Sequence, residues 1–146
     1  MPQSIFFRLF RMGAIPAALR RELEHEGVVL CQEGVSGRMV LRDVHGPGRR
    51  FVGRVTGFVG SIAVTRKRFV ACSFSRPIID VALDDPRIQK LSIGRSKPGW
   101  VSINFDIGDF QSDWSGLVEI RYRLDQQGVL AETLIRSGAL DRRTQR

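Results

Sequence analysis

From Gly27 to Leu124 the chain is punctuated by glycines, and between them run short stretches in which apolar and polar residues alternate with a period of two. That period belongs to strands with one buried face, and about a hundred residues of it leave no space for crossover helices. The candidate strands are Val28–Gln32, Arg38–Val44, Phe51–Thr56, Ser61–Thr65, Phe69–Phe74, Ile78–Leu83, Lys90–Ile93, Trp100–Ile107 and Leu117–Leu124. In the eighth, Val101, Ile103, Phe105 and Ile107 share a face opposite Ser102, Asn104 and Asp106. In the ninth, Val118, Ile120, Tyr122 and Leu124 oppose Glu119, Arg121 and Arg123. The expectation is a mainly β fold of seven to nine antiparallel strands with these apolar rows inside.

Helical signals flank the β region. Pro16 suits a first helical turn, Ile15, Leu19 and Leu23 form an apolar stripe, Glu22, Glu24 and Glu26 read as solvated, and Gly27 reads as a stop. After Leu124, Asp125 is a candidate cap for a closing helix through Val129, Leu130, Thr133 and Leu134 that ends at Gly138. At 146 residues the chain fits one domain. We expect that domain over residues 16–138, after an amphipathic arm at 1–15 and before a disordered basic tail at 139–146.

Three stretches carry a family likeness. They are the helix-to-strand entry from Leu19 to Leu30, the hairpin Gly60-Ser61-Ile62-Ala63-Val64-Thr65-Arg66-Lys67-Arg68-Phe69-Val70, and the step Ser115-Gly116 into a last strand and helix. With the element layout they resemble the pleckstrin-homology-like superfamily, and more closely its GRAM and bacterial pleckstrin-homology-like branches, over about residues 16–138. The resemblance implies a bent β-barrel of two nearly orthogonal sheets capped by the C-terminal helix. It also implies a module that binds anionic lipids or proteins and is not an enzyme. Phosphoinositide-binding members carry a dense basic motif across the first two strands, where this chain offers Arg38 and Arg42.

Charge narrows the functional reading. The chain holds 23 Lys+Arg against 15 Asp+Glu, and its only lysines are Lys67, Lys90 and Lys97. Residues 36–68 concentrate Arg38, Arg42, Arg49, Arg50, Arg54, Arg66, Lys67 and Arg68 against Asp43 alone. If successive strands gather these at one end or edge, they form a patch for an anionic membrane surface or an acidic protein. Nucleic acid is disfavoured because Phe51 and Phe58 are the only aromatics interleaved there. In the arm, Ile5, Phe6, Leu9 and Phe10 could enter a membrane interface or a partner subunit, and homo-oligomerisation is the alternative function.

No catalytic, metal or cofactor site is expected. His25 lies among glutamates and His45 in the turn His45-Gly46-Pro47-Gly48; no nucleophile elbow, phosphate loop or dinucleotide fingerprint occurs. Asp106, Asp109 and Asp113 lack calcium-loop spacing. Cys31 and Cys72 sit in apolar runs and read as buried free thiols. Arg8 and Arg11 interrupt the apolar N-terminus, so a secretory signal is not expected, and the location expected is cytoplasmic, or peripheral at the membrane.

Overall fold

The computed structural model describes residues 14–95 and 97–142, so Ile5, Phe6, Leu9 and Phe10 of the arm lie outside the described residues. Among the described residues the fold is mainly β, with one helix before the sheet and one near its end. The strands are β1 (Val28–Gly46), β2 (Arg49–Phe51), β3 (Arg54–Thr65), β4 (Arg68–Ser73), β5 (Arg76–Ala82), β6 (Ser92–Gly94), β7 (Trp100–Asp106), β8 (Ser115–Arg123) and β9 (Leu140–Asp141). The helices are α1 (Ala17–Glu26) and α2 (Gln127–Arg136). Eight strands follow one path, β5-β4-β3-β1-β8-β7-β6-β9, and β2 pairs with the end of β1. The sheet curls into a half-barrel that stays open.

β1 is the hinge of this arrangement, because Val28 to Leu41 pairs with β3 while Gly37 to His45 pairs with β8. The two candidate strands Val28–Gln32 and Arg38–Val44 are therefore one. Gly34 supplies a bulge at φ 68 between them, and Gly37 continues the ladder. Glycine at 37 is required, since a Cβ there would meet the Phe58 ring at 2.4 Å. Phe58 from β3 and Tyr122 from β8 meet edge to face over it, centroids 5.5 Å apart. Likewise β3 runs unbroken through Gly57 and Gly60, where the sequence suggested two strands.

The concave face buries Val101, Ile103, Phe105, Val118, Ile120, Tyr122 and Leu124 with Leu130 and Leu134 of α2, as the alternation predicts. The convex face of β3 and β4 carries a second, smaller cluster in which Ile15 and Leu23 cover Ala63, Val70 and Cys72. Ion pairs fasten α1 there: Arg20 to Glu33, and Arg68 to Glu22 at 2.8 Å and Glu26 at 3.1 Å. Glu22 and Glu26 are thus anchors and not simply solvated.

Other expectations need correction. α2 starts without a side-chain cap, and the Asp125 N–H donates to Gln32 Oε1 at 3.3 Å, which ties the start of α2 to the early part of β1. Lys90 ends a 3-10 turn, Pro86–Lys90, and strand begins at Ser92. Leu140 and Asp141, placed in the tail, pair parallel with β6, and Leu140 N donates to Leu91 O at 2.8 Å. Buried Ala139 draws this segment onto the sheet. Both cysteines are free, but only Cys72 is buried, and Cys31 is exposed.

Candidate functional site

Asp125, just before α2, bonds Gln32 toward the start of β1, and we call the opposite end of β1 the mouth of the half-barrel. Four segments converge there: the β1–β2 hairpin, the β2–β3 turn, the β4–β5 hairpin and the connection from Ile107 to Trp114. They line an open cavity of about 510 Å³. Met39, Leu41 and Val44 of β1 and Val118 of β8 form its floor, while Phe51, Phe74, Ile78, Ile107 and Trp114 form its walls.

Its polar lining consists of Ser73, Arg76 and Gln111. The Gln111 amide N–H donates to the Ile78 carbonyl at 2.9 Å, which spends it on the protein. Arg76 has no hydrogen-bond or ion-pair partner among the described residues. On the rim Phe51 stacks nearly parallel on Trp114 at 6.4 Å, and the Arg54 guanidinium lies 5.2 Å from the Phe51 centroid. Gly46 makes room for this stack, because a Cβ there would sit 2.5 Å from the Trp114 ring.

Strain gathers at the same end. Among the described residues, Asp43, Phe74 and Asp113 are the non-glycine residues with left-handed φ, at 49, 56 and 65 degrees, and all three flank the mouth. Such conformations cost about 1–3 kcal/mol each and persist where surroundings impose them. Asp43 also accepts from Arg50 at 3.2 Å and lies 3.1 Å from His45 Nε2; the Arg50 hydrogen bond, then that of His45, holds its carboxyl below the ordinary range. Exposed large apolar side chains here include Phe74 at 42% and Val52, in the β2–β3 turn, at 70%, with Val55 and Leu117 exposed nearby.

The predicted basic segment is divided, not gathered. Arg49, Arg50 and Arg54 stand at the mouth, while Arg66, Lys67 and Arg68 occupy the β3–β4 hairpin at the far end of β3, about 36 Å away along the strand. Arg68 is consumed by Glu22, Glu26 and Asp80, the last at 3.3 Å. Arg38 and Arg42 point outward from the convex face. Arg38 stands opposite Arg121 in a smaller pocket of about 280 Å³ that also holds Lys97, Trp100 and Ser102. Arg121 is held there by Glu119 at 2.7 Å, and Arg142 approaches the same carboxylate at 3.5 Å.

The sequence missed Arg76, Phe74, Val52 and Trp114. The available signal was Phe74 between Ser73 and Ser75, a bulky apolar residue where a turn normally carries a small or polar one. Among the described residues no three of His, Cys, Asp and Glu converge as metal ligands, and no helix is long and apolar enough to cross a membrane. Comparison of the chain with family models, curated proteins and solved structures finds no match.

Proposed function

We propose that this protein is a non-enzymatic binding module of pleckstrin-homology-like type that docks, mouth first, on an anionic membrane surface. The carrying observation is that exposed Phe74 and Arg76 line the same cavity as Phe51, whose chain neighbours Arg49, Val52 and Arg54 are also exposed. Apolar tips ringed by cations suit an interface in which carbon enters the acyl boundary and guanidinium groups meet phosphate. Three arginines at about 1 kcal/mol each amount to roughly a hundredfold preference for an anionic over a neutral surface. Supporting the fold assignment, β1 joins the run β3-β4-β5 to the run β8-β7-β6, and a helix follows the last long strand and closes one end.

Co-sedimentation with phosphatidylcholine vesicles, with and without phosphatidylserine, tests the reading. Binding should need the anionic lipid, fall with salt to a remainder, and be lost in Arg49→Glu with Arg54→Glu. Val52→Ser should remove the salt-resistant remainder. A parent protein that ignores both vesicles overturns the proposal. Light scattering that then finds a stable oligomer would make assembly the function, and capture by an acidic protein would make that the partner.

A further inference from the structure

We infer that the cavity at the mouth is a binding site for one single-chain amphiphile with an anionic head, a fatty acid or an alkyl phosphate. This names a ligand for the end that the membrane reading also uses, and it rests on that end being the working one. Binding of a monomeric amphiphile needs no membrane, so the two readings fail separately.

The cavity's size falls within the range that encloses a small ligand. Its lining is mostly apolar side chains, with Ser73, Arg76 and Gln111 as the polar residues, the make-up of a site for a largely apolar ligand. The natural occupant is therefore hydrocarbon. Position selects the head: Arg76, opposite Ser73 in the β4–β5 hairpin, is the sole charged residue of the lining. No carboxylate among the described residues neutralises it. Asp43, at the same end, is already engaged by Arg50 and His45. A carboxylate or phosphate at the entrance would meet the Arg76 guanidinium bidentately, with the Ser73 hydroxyl beside it, while the chain runs inward over Met39 and Leu41. Phe74, in the left-handed region in the same hairpin, also lines the cavity.

The test uses the purified full chain with dodecanoate below its micellar concentration, and with dodecyltrimethylammonium of the same chain length. Native mass spectrometry should record one dodecanoate per chain. Titration should shift the emission of Trp114, a wall residue, and Trp114→Phe should abolish that shift. The cationic amphiphile should bind at least roughly tenfold more weakly. Leu41→Trp, which fills the floor, should remove dodecanoate binding. Arg76→Glu should weaken it roughly tenfold or more, and Arg76→Lys should retain part of it. The inference is overturned if the parent takes up no dodecanoate, if both amphiphiles bind alike, or if Leu41→Trp binds as the parent does. Should Leu41→Trp not fold, the Trp114 response and the contrast between the two amphiphiles decide. Dodecanoate binding with no vesicle binding would sink the membrane reading alone.

Discussion

The Tyr122 hydroxyl on β8 donates a 2.9 Å hydrogen bond to the Cys72 carbonyl on β4, spanning the concavity of the half-barrel. Opposite Cys72 in β5 stands Pro77, which has no N–H to offer. Gly60 keeps the approach clear, since a Cβ there would lie 2.3 Å from that carbonyl oxygen. Tyr122→Phe leaves a buried acceptor bare and should cost about 1–3 kcal/mol, read as a lower urea midpoint with unchanged slope.

Burial, reinforced by Cys72, pushes the Tyr122 hydroxyl well above the ordinary tyrosine range. A raised pKa in the folded state means stability that is complete below about pH 10 and withdrawn as pH climbs beyond it, because only the unfolded chain ionises there. Melting temperature should therefore drop more steeply on the alkaline side for the parent than for Tyr122→Phe. Tyr122 is the only tyrosine, so phenolate absorbance should appear together with unfolding and not before it.

Arg68 binds three carboxylates from two elements, Glu22 and Glu26 of α1 and Asp80 of β5. Glu26 also accepts from the Thr65 hydroxyl at 2.8 Å. Replacing Arg68 by Met strands the partly buried Glu26 carboxylate at the seam between helix and sheet, with an expected loss of about 1–3 kcal/mol. Hydrogen exchange should accelerate in α1 while the concave core stays protected.

Gly116 enters β8 at φ 116, and a Cβ would lie 2.4 Å from the Asp43 carbonyl oxygen. Both the conformation and the collision with backbone forbid a side chain, so Gly116→Ala should cost about 3 kcal/mol in chemical denaturation. Gly48→Ala, at φ 66 with open space around it, should cost less.

Much of the architecture is legible because burial imposes a period of two: the residues predicted inward on β7 and β8 are inside, and the Ile15, Leu19, Leu23 stripe does cover the sheet. Gly34 and Gly37 misled because a bulge and a turn use the same residue. What distinguishes them is the Phe58 ring lying over Gly37, contributed by another strand. The basic segment misled for a different reason. Summed charge carries no information about which end of a twelve-residue strand each cation occupies, and Arg68 finds its partners forty-odd positions upstream. The cavity draws its lining from residues scattered from Met39 to Val118, so no local word announces it.

That division gives a control. Arg66→Glu with Lys67→Glu reverses two exposed charges at the far hairpin, and both stability and binding to phosphatidylserine vesicles should stay near parental values. A loss of vesicle binding comparable to that of Arg49→Glu with Arg54→Glu would move the docking surface to the α1 end.

Because β1 is completed on one side by β3 and on the other by β8, the chain meets a timing problem during its own synthesis. Residues 28–82 can form the first run of strands as soon as they emerge, yet the flank of β1 from Gly37 to His45 waits for Ser115 to Tyr122. Pairings of such long sequence separation form slowly, and an uncovered flank is a template for another chain. Fragments that stop before Ser115 consequently retain an adhesive strand at the centre of the molecule, so release of the whole β8 segment is the step that covers that flank from within the chain.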